Sequence, residues 1–343
     1  MSNGGRSEGR RSASGRTERR RIDVIAPAGA LLAPEQLGAG IAQLQALGCS
    51  VRSRVPIEPW LRFAGTDDCR LAQIHASAQA SDVDLVMIAR GGYGLSRLLD
   101  DIDWPTVADS VKRGVHWVGY SDFTAFQLAL LAQTGQPSWA GPSVCADFGA
   151  NPPDSWMLGQ FEALLQGRAP PVDWSLADAP GIGAIGMRPP LALEGPLWGG
   201  NLAMLAGLAG TRWMPQIEGG LLFVEDVAEH PYRVERMLIQ LLHAGVLKRQ
   251  RAILFGAFTP WRPAPQDNGF DLGTVARYVA TKAGVPVIGG LPFGHIVRRA
   301  VLAVGCRYRL AIDADGRVRL RCLDPALASA GSPDGSPGHL MDR

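Results

Sequence analysis

The sequence predicts an α/β protein, with a parallel sheet covered by helices in its first part and a smaller, β-rich α/β unit in its second part. The first observation is that short apolar strand patterns alternate with helical patterns up to about residue 150, as a parallel sheet requires. The second is that "AVLAVGCRYRLAID" and "RVRLRCL" alternate in polarity and flank the turn "DADG", which indicates a hairpin. A length of 343 residues suits two such units.

The N-terminal domain is predicted at residues 22–150 from four strand patterns and the helical patterns after them. "IDVIAP" and "SVRSRV" are the first two strands, and "VDLVMIAR" is an apolar run typical of a strand buried on both faces. "VHWVGYS" leads into the helical pattern "DFTAFQLALLAQTG". In the helix "DDCRLAQIHASAQA", Asp67 or Asp68 is the expected N-cap.

The remaining chain divides by composition. Residues 151–190 are rich in Pro, Gly and Asp around one helix expected at 155–166, and are interpreted as a crossover linker. Residues 191–325 are predicted to form the C-terminal domain, with strands "GLLFVED", "AILFGAF" and "VPVIGG" separated by helices. Residues 1–21, which contain no aliphatic residue larger than the first methionine, are predicted to be a disordered Arg-rich tail, and residues 326–343 a loose second tail.

Charge and cysteine usage exclude several function classes. The net charge is +2, but residues 1–21 hold seven arginines and two glutamates, so the predicted folded body is slightly acidic and does not suit nucleic acid binding. No run of about 18 apolar residues predicts a membrane span. The five cysteines are dispersed without metal-ligand spacing, which indicates reduced thiols in a cytoplasm and neither a metal site nor a cofactor.

Ser121 follows the strand pattern "VHWVG" directly and precedes a helix. A serine on such an elbow can act as a nucleophile if a base takes its proton, but the G-x-S-x-G elbow pattern is only half met, with Gly119 present and Phe123 in the last position. A serine before a helix is also a common N-cap. The pattern alone leaves both interpretations open.

Three further stretches carry candidate site residues. "ARGGYGLSRLL" has glycines that let backbone N–H groups approach a ligand, although it lacks the motifs that bind nucleotide phosphates. Glu225 and Asp226 end a buried strand pattern, where a carboxylate is placed either to orient a histidine or to cap a helix. His295 lies in the Gly/Pro-rich loop "GGLPFGHIVRRA", where it is freer to act as a base than a histidine in a helix.

Taken together, these stretches resemble the LD-carboxypeptidase family of serine peptidases. The matching pieces are "IAPAG", "ARGGYG", "VGYSDFTAF", "GPLWGGNLAMLAGLAGT", "FVEDV" and "GLPFGH", which occur in the family's order over residues 22–323. The resemblance implies a Rossmann-like N-terminal domain and a β-rich C-terminal domain with the active site between them. It also implies a homodimer.

The resemblance implies a catalytic triad of Ser121, Glu225 and His295, with Ser121 as nucleophile and His295 as base. The family's oxyanion donors fall on the backbone N–H of Asp122 and on a glycine of the "RGGYG" loop, Gly92 with Gly91 beside it. The implied substrate is a murein tetrapeptide that loses its terminal D-alanine in the cytoplasm. Arginines near the motifs are candidates to bind its carboxylates: Arg90, Arg298 and Arg299.

The sequence leaves two other functions open. One is a self-immunity peptidase of the same family that cleaves a peptidyl-nucleotide antibiotic, which an aromatic side chain stacked on adenine would favour. The candidate tryptophans are Trp139, Trp156, Trp174, Trp198 and Trp213. The other is a non-catalytic Rossmann-type binding module.

Overall fold

The computed structural model describes residues 19–56, 58–179 and 181–327. The α-helices in these ranges are α1 (Pro34–Ala46), α2 (Asp67–Gln79), α3 (Trp104–Lys112), α4 (Thr124–Thr134), α5 (Ser155–Leu165), α6 (Leu202–Leu208), α7 (Pro231–His243) and α8 (Leu272–Ala283). The strands are β1 (Arg21–Ile25), β2 (Ser50–Ser53), β3 (Leu85–Ile88), β4 (His116–Gly119), β5 (Ser138–Ala140), β6 (Val172–Ser175), β7 (Ala184–Ile185), β8 (Leu191–Asn201), β9 (Leu221–Val227), β10 (Ala252–Thr259), β11 (Val287–Ile288), β12 (Leu302–Val304), β13 (Arg307–Ile312) and β14 (Arg317–Cys322). No helix in the described ranges is long and apolar enough to cross a membrane.

The first sheet has the strand order β2-β1-β3-β4-β5-β12, in which the first five strands are parallel and β12 is antiparallel to β5. Its central strand β3 is buried along its whole length, as its continuous apolar run predicts. The chain reverses its direction of strand addition between β1 and β3. In an open parallel sheet, ligands bind at the carboxyl ends of the strands beside such a point.

The second sheet has the order β6-β14-β13-β8-β9-β10-β11-β7. Strands β8 to β11 are parallel, and the outer strands are antiparallel. The long strand β8 joins both parts, because residues 191–196 pair with β13 and residues 197–201 pair with β9. The α/β fold class predicted from the sequence is confirmed.

The structure corrects three boundaries. Arg20 and Arg21 belong to the fold, because the Arg20 Nε donates to the Leu165 oxygen at 2.8 Å and the Arg21 N–H to Asp84 at 2.7 Å. The stretch 151–190 is more than a linker, since β6 and β7 lie in the second sheet. Conversely, β12 lies in the first sheet, although it falls in the range 191–325 that was predicted to form the C-terminal domain. Side-chain hydrogen bonds decide the first boundary and strand pairing decides the other two, and composition predicts neither kind of contact.

Two smaller differences concern the chain ends and a helix cap. The expected tails at 1–18 and 328–343 lie outside the described residues, whereas the Leu327 oxygen accepts a hydrogen bond from the Ala169 N–H at 2.8 Å. The N-cap of α2 is Thr66, whose hydroxyl accepts from the Cys69 N–H, and not one of the aspartates that follow it.

Candidate active site

Ser121 lies on a sharp turn between β4 and α4 with a backbone φ of +63°. This left-handed conformation is strained for a residue with a side chain, and such strain is common at nucleophile elbows. A Cβ on Gly119 would lie 2.7 Å from the Phe123 ring, so glycine is required there and the buried phenyl group fills the space beneath the turn. The Ser121 hydroxyl is not used as a helix cap.

The structure brings Ser121, His295 and Glu225 together from distant parts of the chain. The Ser121 Oγ lies 3.0 Å from His295 Nε2, and His295 Nδ1 lies 2.7 Å from the Glu225 Oε2. Because a buried carboxylate accepts a hydrogen bond, Nδ1 carries the proton and Nε2 is left to accept one from the hydroxyl. This arrangement can deprotonate Ser121 and stabilise the imidazolium that results.

Glu225 is fully buried at the carboxyl end of β9, beside a second carboxyl group and an amide. Asn201, the last residue of β8, donates from Nδ2 to Asp226 at 2.9 Å and lies 3.4 Å from the Glu225 Oε1. Its backbone N–H donates to the Thr124 hydroxyl at 3.0 Å, in the helix that follows Ser121. Burial raises the pKa of Asp226 to about 6 against the opposing effect of its N–H donors. Asn201 therefore links the helix that follows Ser121 to Glu225 and Asp226.

The loop of His295 closes tightly over Glu225. Gly294 has a φ of +132°, and a Cβ there would lie 3.1 Å from the Glu225 Oε2, so the residue before His295 must be glycine. On the other side, the ring of Tyr120 meets the imidazole edge-on at a centroid distance of 5.1 Å. Burial raises the pKa of Tyr120 to about 12, so its phenol is neutral beside the histidine.

A buried ion pair holds this loop against the N-terminal domain. The Arg299 Nε donates to the Gly294 oxygen at 2.7 Å, and its Nη1 pairs with Asp147, in the turn of π-helix that follows β5. The guanidinium also lies 3.7 Å from the ring centre of Tyr120. Arg299 thus contacts both Tyr120, which precedes Ser121, and Gly294, which precedes His295.

The predicted oxyanion loop lies against Ser121. A Cβ added to Gly91 would lie 3.1 Å from the Ser121 Oγ and 3.5 Å from the Asp122 nitrogen, so only glycine leaves this space open. The Asp122 carboxylate accepts from the Leu95 N–H at 2.9 Å, which ties the elbow to the glycine loop. Burial raises the pKa of the Asp122 side chain to about 6.

The three candidate arginines differ in environment. Arg299 is buried and paired with Asp147, so its charge is already neutralised. Arg298 lies over the ring of Trp156 at 4.7 Å. Arg90 donates to the Ala30 oxygen at 2.7 Å and lines a cavity.

Four of the five candidate tryptophans are buried: Trp139, Trp174, Trp198 and Trp213. Trp156 is partly exposed, and the Arg298 guanidinium lies over its ring.

In residues 19–56, 58–179 and 181–327, no group of three or more His, Cys, Asp or Glu side chains has the geometry to hold a metal ion.

Sequence reasoning missed Asn201 and the Asp147–Arg299 pair. Asn201 had a signal, because an asparagine between a strand ending in two glycines and a helix is a typical cap, and its side-chain oxygen does accept from the Met204 N–H. Asp147 and Arg299 are 152 residues apart, and no local pattern connects them.

Two family models match this chain in tandem. Residues 22–141 match the N-terminal domain of LD-carboxypeptidases, and residues 194–310 match the C-terminal domain. The chain belongs to the LD-carboxypeptidase family. The family predicted from the sequence is confirmed.

Individual relatives extend the match over most of the chain. The murein tetrapeptide carboxypeptidase of Pseudomonas aeruginosa is 32% identical over 285 residues, which cover 80% of this chain and 88% of that protein. The structure of muramoyltetrapeptide carboxypeptidase from Oxalobacter formigenes matches with a TM-score of 0.79 and 39% identity, over 88% of this chain and 97% of the other. The microcin self-immunity protein MccF shares the fold, with a TM-score of 0.75 and 21% identity over 90% and 97% of the two chains.

Proposed function

We propose that this LD-carboxypeptidase removes the terminal D-alanine from murein tetrapeptides in the cytoplasm, as a step of cell-wall recycling. The observation that carries the proposal is the continuous hydrogen-bonded chain from Ser121 through His295 to the buried Glu225. The murein tetrapeptide carboxypeptidase named above, with 32% identity, supports the substrate class.

In the proposed first step, Ser121 attacks the carbonyl carbon of the scissile bond while the His295 Nε2 takes its proton. The negative charge that develops on the carbonyl oxygen is stabilised by the backbone N–H groups of Asp122 and Gly92. When the C–N bond breaks, His295 returns the proton to the leaving amine, and D-alanine departs. Glu225 stabilises the imidazolium and does not itself accept the proton.

In the second step, water enters where the amine left, and His295 removes one of its protons as the oxygen attacks the acyl ester. The ester bond to the Ser121 Oγ breaks, and the hydroxyl regains its proton from the imidazolium. The products are the shortened peptide with a new carboxylate and the free enzyme. Both steps use the same base and the same oxyanion donors.

Gly91→Ala tests the space reserved for the oxyanion. The added methyl group would lie 2.9 Å from the Ser121 Cβ and would compete with the substrate for the region between Ser121 and the Asp122 nitrogen. We expect kcat to fall by about 10² or more, because displacing the carbonyl by about 1 Å from its productive position can cost that much in rate. Gly38→Ala in α1 is the matched control, because no atom lies within 4 Å of its added methyl, and it should keep full activity. Equal activities in the two variants would contradict this assignment.

Substrate selectivity tests the proposed function itself. The L-Ala epimer of the terminal residue would misplace the carbonyl against Ser121, and an error of about 1 Å can cost on the order of 10² in rate. A C-terminal amide would leave donors of the site without their charged partner, at about 1–3 kcal/mol each. We expect kcat/KM to be high for the natural tetrapeptide and low for both analogues. Equal values for the two epimers would refute the LD-carboxypeptidase proposal.

The family resemblance further suggests a homodimer. Light scattering at micromolar concentration should then show about twice the mass of one chain, as for the common two-fold symmetric assemblies. A monomer that is fully active at that concentration would remove this part of the proposal.

A further inference from the structure

A cavity of about 210 Å³ lies beside the glycine loop that approaches Ser121. Its lining includes Leu31, Ala33 and Gln36 from the segment after β1, and Cys145 and Ala146 from the π-helical turn. Among the described residues that line it, Arg90 is the charged one. The cavity is therefore small, largely apolar and positively charged at one side.

The described part of the chain offers no acidic side chain that pairs with Arg90. One of its nitrogens donates to the Ala30 oxygen at 2.7 Å, but no carboxylate lies within 4 Å of its guanidinium in the described ranges, unlike Arg70, Arg299 and Arg321, which are ion-paired. A partly buried guanidinium binds carboxylates well because it is always charged and offers donors in a planar fork. Burial also raises the pKa of the neighbouring Cys145 thiol to about 11, so that group adds no competing negative charge.

The position of Arg90 relative to the nucleophile fits a substrate contact. Arg90 directly precedes Gly91, whose Cα faces Ser121, and its Nη1 lies 3.1 Å from where a Cβ of Gly92 would be. Ala146 lines this cavity and also a second one of about 270 Å³, which Tyr120 and His295 line. The two cavities therefore meet at Ala146, and Arg90 lies on the glycine loop that approaches Ser121.

We propose that Arg90 binds a carboxylate of the peptide substrate in this cavity. The inference rests on the proposed function and deepens it, because it names the residue that selects an anionic peptide. The carboxylate comes either from the C-terminal D-alanine or from a side chain of the peptide, and the two sources are separable by experiment. The competing explanation is that Arg90 only braces the glycine loop through Ala30.

The kinetic test compares Arg90→Gln with Arg317→Gln, an exposed arginine at the start of β14. Three substrates are used: the tetrapeptide, its C-terminal amide and a tetrapeptide with amidated side-chain carboxylates. For the tetrapeptide we expect Arg90→Gln to raise KM by about tenfold to a hundredfold with kcat nearly unchanged. The reason is that the lost charge-assisted contact is made equally in the enzyme–substrate complex and in the transition state. Arg317→Gln should behave as the wild type.

The amidated substrates identify the source. If Arg90 binds the terminal carboxylate, the substitution does not affect cleavage of the C-terminal amide. If Arg90 binds a side-chain carboxylate, the substitution does not affect cleavage of the tetrapeptide whose side-chain carboxylates are amidated. An equal loss on all three substrates, carried by kcat, would show that Arg90 only braces the loop and would overturn the proposal, as would no loss on any of them.

A binding measurement keeps the inference separate from the proposed catalysis. The Arg90 side-chain NMR signal of the Ser121→Ala protein is followed while the tetrapeptide or its fully amidated form is added. A shift with the tetrapeptide, and none with its fully amidated form, supports carboxylate binding by Arg90. This holds even if the wild type cleaves none of the peptides, in which case only the proposed function fails. No shift, or the same shift with both peptides, overturns the role of Arg90.

Discussion

Ser121→Ala should abolish turnover while leaving the fold intact. Among the described residues, the hydroxyl is hydrogen-bonded to His295 at 3.0 Å and caps no helix, so its removal takes away the proposed nucleophile and little structural support. Loss of the nucleophile in a serine peptidase costs about 10⁶ in kcat, or roughly 8 kcal/mol of barrier. His295→Ala should be similarly severe, and Glu225→Gln less so, because the glutamate orients the base and transfers no proton.

The measurement is the rate of D-alanine release, with circular dichroism and thermal unfolding to show that the variant is folded. Ser81→Ala is the matched control, since this exposed serine lies in the turn before β3, at the opposite end of the sheet from the elbow. It should retain full activity. A Ser121→Ala protein with a tenth of the wild-type rate would show that the proposed mechanism is wrong.

Asp147→Asn should lower the free energy of unfolding by about 3–5 kcal/mol, the usual effect of removing one partner from a buried ion pair. Arg299 and Asp147 are almost completely buried, so water cannot replace the lost carboxylate. Asp147 also accepts a hydrogen bond from the Ser143 N–H at 2.8 Å, and Arg299 donates one to the Gly294 oxygen. The pair therefore connects the segment after β5 with the loop that carries His295. Urea unfolding, with midpoint and slope fitted together, measures the change.

The double variant Asp147→Leu, Arg299→Met tests whether the loss of stability comes from leaving one buried charge unpaired. Replacing both members of a buried pair with apolar groups is often neutral, so stability should recover substantially relative to Asp147→Asn. If Asp147→Asn lowers the free energy of unfolding by less than about 1 kcal/mol, the pair contributes no more than an exposed surface ion pair, contrary to this prediction.

Local patterns were sufficient to predict the elements that position Ser121. The apolar run before Ala89, the strand before Ser121 and the helix after it are read from periodicity, and consecutive parallel strands bring their carboxyl ends to one edge. The partners of Ser121 came from the family resemblance, because nothing in the spacing of Glu225 and His295 fixes their distance from it.

What the sequence could not predict depends on contacts between distant segments. Strand β12 crosses back to pair with β5, and β6 pairs with β14, so the domain boundaries drawn from composition failed at both places. Arg299 looked like one of three equivalent arginines, and only its contact with Asp147 distinguishes it from Arg90. Such distinctions arise from burial and charge pairing in the folded protein.

The most direct test of the central claim is mass spectrometry of the products after the wild-type protein is incubated with a murein tetrapeptide. We expect the tripeptide and free D-alanine in equal amounts, and neither product with Ser121→Ala. An unchanged tetrapeptide, cleavage at another bond, or the same products from both proteins would contradict it.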